Sequence, residues 1–482
     1  MDQKTLFLKT PPHRLFLRAA LPGSVGMLAS SLYQLMDGIF VGRILGDEAF
    51  AALNLAMPLV IINFALADLI GVGSAVPISV RLGEKRNEEA HNLFTCACLM
   101  VVGLGALTGA VLYALAPALL GWMGAEGELA RLGVQYMRVY ALCSPVVSIV
   151  FAADNYLRIC GRIKTSMVLN VLMSALCAGL EFFFLYVMRL GIAGAALGTC
   201  LGMTVCAVLA MAPFFTGRMP LRFVRPRFTR HIIGSILICG CPTFLSNIAG
   251  RVTSILMNMV LLRLGGAAAV SVYGILMYVD GFVLPLLYGM CDSLQPAVGY
   301  NWGAGRRDRV LAIEKRCFAA SALISLAAAG LLLAFPTQTA GLFVGPSDTA
   351  MLALAVPAVQ LFSLGYLTRW FSFAAQSFLS AVEKPLQASI LSVSVALVFP
   401  VLLIATLWPL GLTGLWCNQP GTALLAGLLA VVLLLDFRRR YAAPYLTFRF
   451  QGARFCPLVF SIVQEGQSGS RGAPFIYNPY YL

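Results

Sequence analysis

Asp37 stands in the middle of an apolar run, SLYQLMDGIFVGRILG (31–46), fifteen residues after Pro22. Fifteen residues are about four helical turns, so both can act on one helix. An apolar surrounding favours the neutral form of a carboxylate, and such a group can take up a proton on one side of a barrier and release it on the other. Moving one charge down 100 mV supplies about 2.3 kcal/mol. The proline leaves a backbone carbonyl without its helical donor, so the helix can bend there when the charge changes. The competing reading of Asp37 is a structural acid that hydrogen-bonds neighbouring helices. Gln34 lies one turn before Asp37 and is expected on the same face.

Other charges within apolar runs are Asp68, Asp154, Arg251, Asp280 and Asp292. Asp68 and Asp292 are candidates for lining a cleft. Asp154 falls near the end of its run and reads as a solvated or capping residue. A buried arginine needs an acidic partner, and Asp280 is the one expected for Arg251. Met36, Met277, Tyr278 and Tyr288 are candidates for the apolar lining of a substrate cleft. Hydrolytic or metal chemistry has little to work with. The three histidines (His13, His91, His231) fall in expected loops, and no HExxH motif is present. The 13 cysteines lie mostly inside apolar runs and read as small apolar packing residues. The expectation is no enzyme, no metal site and no cofactor beyond a coupling ion.

The surroundings that must position these groups are membrane-spanning. Of 482 residues, 60% are hydrophobic and 11% charged, against about 25% charged in a soluble domain. Twelve runs are long and apolar enough to cross a bilayer. They are 15–42, 49–80, 93–120, 132–157, 165–188, 190–215, 232–262, 267–299, 316–336, 349–381, 385–407 and 412–436. Pro22 and Gly23 interrupt the first run, which reads as a span rather than a leader. Basic residues collect in the even-numbered connections: Arg81, Lys85 and Arg86; Arg158, Arg162 and Lys164; five arginines from Arg218 to Arg230; and Arg306, Arg307 and Arg309. That bias puts both termini in the cytoplasm. The net charge of +14 is therefore a topology signal, and nucleic-acid binding is excluded.

The two halves repeat at a nearly constant offset of 220 residues. Pro22 aligns with Pro242, Arg43 and Gly46 with Arg263 and Gly266, and Gly83 with Gly303. LGIAG (190–194) aligns with LGLTG (410–414), while FAADNYLR (151–158) aligns with FAAQSFLS (373–380) at an offset of 222. Six spans per half make parallel repeats that flank a central cleft. The expected fold is all-α and polytopic, with twelve helices in two pseudo-symmetric six-helix bundles. Its expected parts are an N-terminal lobe (1–217), a cytoplasmic linker (218–231), a C-terminal lobe (232–440) and an irregular cytoplasmic tail (441–482).

LYQLMDGIFVGRILGDEAFAALNLAMPLV, GVGSAVPISVRLGEKRNEEA, LGIAGAALGT and QPAVGYNWGAGRRDRV resemble the multidrug and toxic compound extrusion (MATE) antiporters, in particular the bacterial MepA-like branch. The resemblance covers about residues 10 to 440. It implies a monomeric exporter in the bacterial inner membrane that exchanges cationic or amphipathic drugs for H⁺ or Na⁺. It gives Asp37 the role of coupling acid and Pro22 that of hinge. Glu181, ten residues before Gly191, takes the place of the family's acid on span 5, and Thr199 that of its threonine on span 6. Cys177 replaces the family's asparagine four residues before that acid. Arg251 falls where the Na⁺-coupled branch carries an acid on span 7, a departure that argues against a cation site in the second lobe. The alternative is a lipid or lipid-linked saccharide flippase of the same superfamily. Such proteins usually have a cationic cavity, whereas the charges here are mainly acidic.

Overall fold

The computed structural model describes residues 3–217, 219–343 and 349–441. The expected tail, 441–482, falls outside them apart from Tyr441, as does Arg218 of the expected linker. The helices in chain order are α1 (Pro12–Leu45), α2 (Asp47–Gly83), α3 (Asn87–Trp122), α4 (Gly127–Ile159), α5 (Ile163–Phe182) and α6 (Ile192–Phe215). Then come α7 (Arg230–Gly303), α8 (Arg307–Ala334), the short α9 (Pro336–Gly341), α10 (Thr349–Ser363) and α11 (Tyr366–Ala381). The last are α12 (Pro385–Val393), α13 (Phe399–Leu407), α14 (Gly411–Trp416) and α15 (Asn418–Tyr441). A π-helical turn, Phe183–Val187, extends α5, and a second, Ser394–Val398, joins α12 to α13.

Among the described residues ten helices are long and apolar enough to cross a membrane, or eleven with α10 and α11 taken as one span bent by 47°. The 74 residues of α7 include Gly266, at φ +63°, where the chain reverses; α7 thus supplies two spans and the total is twelve. The run 349–381 is therefore not one straight helix. Its bend falls at Leu364–Gly365, where the Gln419 side chain would lie 2.9 Å from a Cβ on Gly365.

The repeat is written into the backbone. Left-handed φ values occur at Gly46 and Gly266, at Lys85 and Gly305, and at Gly191 and Gly411, each pair 220 apart. Gly161 and Glu383 form a fourth pair, 222 apart. The same turns therefore recur at the same places in both halves. Each half also has its own apolar core, one built around Tyr33, Val60, Tyr136 and Met203, the other around Met257, Val279, Phe362 and Trp416.

The bundles meet where α1 and α2 cross α7. A Cβ on Gly83 would lie 2.1 Å from the Tyr300 carbonyl oxygen, and one on Gly303 would lie 2.1 Å from that of Val80. Residues 80 and 83 and their repeat counterparts 300 and 303 thus make reciprocal contacts about a pseudo-two-fold axis. Deeper along the same helices, a Cβ on Gly240 would lie 1.8 Å from the Leu69 carbonyl oxygen, and one on Gly23 would lie 2.0 Å from that of Gly289. No side chain fits between backbones this close.

These crossings lie toward the end that carries the basic loops. Arg81 there pairs with Glu383 at 3.7 Å and so links the two halves. Burial pushes the Glu383 carboxyl above its ordinary range, against the pull of Arg81. The N-terminal segment is tied down at the same end: Arg309 donates to the carbonyls of Phe7 at 2.9 Å and Thr10 at 2.6 Å. Residues after Arg218 run along α3, with Asn92 bonded to the backbone of Arg227 in both directions. The bundles are closed at the basic end.

Gly83→Leu should force the bundles apart at that end, since an extra side chain in a filled contact costs about 1–3 kcal/mol. Spin labels on the exposed positions Glu88 and Asp308 should report longer separations in the variant; an unchanged distribution would contradict the crossing.

Candidate functional site

The first functional cluster forms inside the N-terminal bundle. Spacing puts Tyr33 and Asp37 four residues apart on α1, about 40° around the helix. Both face α5 and α6. Asp37 is 3% exposed, Glu181 of α5 is fully buried and Thr199 of α6 is 2% exposed. The structure brings all three together. The carboxyls of Asp37 and Glu181 are neighbours, with the Tyr33 hydroxyl beside Glu181. Tyr33 is hydrogen-bonded to the Thr199 hydroxyl, and the Cys177 thiol donates to the Thr199 carbonyl at 3.5 Å. Tyr136 and Tyr140, one turn apart on α4, pack against each other with ring centres 5.1 Å apart and close the cluster.

What distinguishes this cluster is a lack of donors. Asp37 Oδ1 and both Glu181 carboxyl oxygens are buried without a hydrogen-bond partner among the described residues. Among the described residues no lysine, arginine or histidine pairs with either acid. Two carboxylates in contact within an apolar core repel each other, and a bound proton or cation relieves the repulsion. No group of three or more histidine, cysteine, aspartate or glutamate side chains that could hold a metal ion occurs among the described residues.

Gln34 and Met36 do not join the cluster. Gln34 is exposed and Met36 is 41% exposed, on other faces of α1. The expectation that Gln34 shares the face of Asp37 is corrected: Tyr33 occupies it. Pro22 is buried within α1, which runs unbroken through it.

A second group of acids spans the seam between the bundles. Asp68 of α2 and Asp292 of α7 face each other electrostatically, with Asp154 and Arg158 of α4 nearby. Asp154 is neither solvated nor a cap. It pairs with Arg158 at 2.5 Å and accepts from Ser166 at 2.5 Å and Asn170 at 2.9 Å. Asp292 accepts from Gln295 at 2.9 Å.

The C-terminal bundle holds an open cavity of about 380 Å³. Met277, Tyr288, Asp280, Arg251 and Arg369 line it; Tyr278 instead stacks on Phe343 with ring centres 5.7 Å apart. The expected Arg251–Asp280 pair does not form. Asp280 binds Arg369 at 2.8 Å and accepts from the Tyr366 hydroxyl at 2.7 Å. Arg369 and Tyr366 are three residues apart on α11, which presents both to one oxygen of Asp280.

Sequence reasoning missed Tyr33, Tyr136, Tyr140, Arg158 and Arg369. Spacing carried a signal for the tyrosines, which stand four residues from Asp37 or from each other. Nothing local pointed to Arg369.

Comparison with known proteins agrees with this architecture. The family model MatE matches residues 22–187 and 242–405, one segment in each half. The multidrug export protein MepA of Staphylococcus aureus is 25% identical over 443 residues, which cover 90% of this chain and 97% of that protein. MepA of Staphylococcus saprophyticus is 25% identical over 444 residues with the same shares. A crystal structure of MATE in complex with MaL6 has a TM-score of 0.85 at 24% identity, covering 92% of this chain and 98% of that one. An outward-facing multidrug resistance MATE family transporter gives the same values.

Asp280→Asn should strand the Arg369 guanidinium and destabilise the protein by about 3 kcal/mol, the cost of removing one partner of a buried pair. Asp37→Asn removes an acid that lacks a donor and should cost less than about 1 kcal/mol, or stabilise. Thermal unfolding in detergent compares them; equal midpoints would refute the contrast.

Proposed function

Because the chain belongs to the MatE family, we propose that it is a secondary active exporter that exchanges cationic or amphipathic drugs for H⁺, with Na⁺ as the alternative ion. The observation that carries this reading is the Asp37–Glu181 pair, buried side by side with no donor. In this reading the pair holds the coupling proton, Thr199 and Tyr33 fix its geometry, and Pro22 is the hinge. The acid pair is occupied by a proton taken from outside and emptied toward the cytoplasm. Each change of charge alters the cost of keeping α1 packed on α5 and α6, and α1 also contacts the second bundle at Gly23–Gly289. One helix therefore feels both the ion and the seam.

Several observations support this. The repeat makes two bundles that rock about one axis, which is the architecture alternating access requires. The acids Asp68, Asp154 and Asp292 at the seam carry two more negative charges when ionised than Arg158 neutralises, which suits a cationic substrate. H⁺ is favoured over Na⁺ because Na⁺ needs several oxygen ligands, and Cys177 supplies a sulfur near Thr199. The basic-loop bias supports a bacterial cell membrane location with both termini cytoplasmic, and the closed basic end corresponds to a site accessible from outside. The protein is proposed to act as a monomer in the bilayer.

Ethidium transport in everted membrane vesicles, with pH and Na⁺ gradients imposed separately, tests the reading. A pH gradient should drive ethidium uptake into these vesicles, and Asp37→Asn should reduce it to background while protein levels hold. No movement under either gradient would reject the exporter, and undiminished transport by Asp37→Asn would reject the coupling role.

A further inference from the structure

The segments that lead into the first helix of each half are exchanged between the bundles. Residues 3–10 lead into α1, and residues 223–230, at the offset of 220, lead into α7. Positions 7 and 227 correspond. The Phe7 carbonyl accepts from Asn301 of α7 at 3.2 Å, and the Arg227 carbonyl accepts from Asn92 of α3 at 3.0 Å. Each segment thus gives the same backbone oxygen to an asparagine of the opposite half. The helices beneath them also correspond, since α3 begins at Asn87 and α8 at Arg307, 220 apart. On α3 the second segment is held further by Thr95, whose hydroxyl accepts from the Val224 amide at 3.1 Å. On α8 the first segment is held by Arg309, which donates to the carbonyls of Phe7 and Thr10. The Phe7 ring packs on Tyr300 of α7, with ring centres 5.6 Å apart. Residues 3–10 also rest on the N-terminal bundle: a Cβ on Gly161 would lie 3.3 Å from Gln3 Cα and 3.4 Å from Leu6 Cδ2.

The two segments differ in what an opening of the basic end demands of them. Residues 223–230 follow Leu221, which is fully buried, and continue the chain from α6. They can stay on α3 while the chain yields just before α7. Residues 3–10 belong to the N-terminal bundle through α1 and Gly161, and their bonds to Asn301 and Arg309 cross the seam. Bundles that part at this end must break those bonds. Arg309 is 9% exposed and is met by three neutral oxygens, the two carbonyls and Asn301 Oδ1 at 3.2 Å. A guanidinium and main-chain carbonyls are both well hydrated when apart, so such a contact exchanges for water at small net cost. Leu6 and Phe7, buried in the same contact, add apolar area that favours closure. We propose that residues 3–10 are a releasable strap, which locks the basic end shut while docked on Tyr300, Asn301 and Arg309 and leaves them each time that end opens. The inference rests on the exporter reading, since alternating access is what requires that opening.

Two pairs of spin labels on the full chain in nanodiscs tell the strap from the bundles. Glu88 with Asp308 reports the bundles, and Lys4 with Asp308 reports the strap against the C-terminal bundle; all three positions are exposed. Arg309→Gln should raise the ratio of long to short separations about tenfold, the scale of one lost bond to a charged group. Phe7→Ala should raise it too, and in both variants the two label pairs should lengthen together. Asn92→Ala, which frees only the second segment, should leave both distributions as in the wild type. Gly83→Leu, which forces the bundles apart without touching the strap, should also lengthen both, and it keeps the test decisive if the strap variants do not fold. Bundles that separate while Lys4 keeps its short distance from Asp308 overturn the proposal, as do strap variants whose distributions match the wild type. Ethidium transport decides the exporter reading separately. Movement of ethidium with the strap fixed rejects this inference alone. Label pairs that lengthen together without ethidium movement reject the exporter and leave the strap standing.

Discussion

Two carboxyl groups held against each other in an apolar bundle constrain everything else in this molecule. Asp37 and Glu181 come from helices far apart in sequence, and both are buried without donors. A protein that only needed stability would place an apolar pair there, since burying a charge without a partner is costly. The surrounding tyrosines, Tyr33, Tyr136 and Tyr140, supply bulk and hydroxyls but no positive charge. The site is therefore complete only with a proton or cation added. That incompleteness separates it from Asp154–Arg158 and Asp280–Arg369, where the counter-charge is already present.

The seam shows how a duplicated chain closes on itself. A residue near a two-fold axis meets its own counterpart across it, so a side chain that points at the axis collides with its copy. Gly83 and Gly303 stand in that position, each against the backbone of the other half. Glycine is the residue type that lets two helices approach so closely. The other close crossings follow the same axis: Leu69 and Gly289 are 220 residues apart, and they meet Gly240 and Gly23 of the opposite half.

Much of the architecture was legible in the residues. The apolar runs, the basic loops and the offset of 220 are one-dimensional features, and the recurring left-handed turns follow that offset. Helix breaks were legible only at glycines that end a run; the bend at Leu364–Gly365, which packs against Gln419 of a distant helix, left no local mark. Asp37 was readable because a charge in an apolar run is costly, whereas the place of Glu181 came from family resemblance. The pairing of charges was not legible. Gln34 and Tyr33 lie about 60° and 40° from Asp37 on either side, and a narrow helix seam admits only one of them. Arg251 and Asp280 sit on the two spans of α7, yet the rotation of α11 delivers Arg369 to Asp280 first. Such choices depend on helix rotation, which composition and spacing leave free.

The same rotation explains the difference between the two bundles. Duplication gives both the same helices and turns, so an ancestral pocket exists twice. In the N-terminal copy the pocket has filled with tyrosines and acids. In the C-terminal copy Met257 replaces the acid, and Arg369 arrives to neutralise Asp280, which leaves Arg251 over. The seam keeps the symmetry that the pockets have lost: Leu69 and Gly289, 220 residues apart, each meet a glycine of the opposite half, so the same backbone contacts join two pockets of different charge.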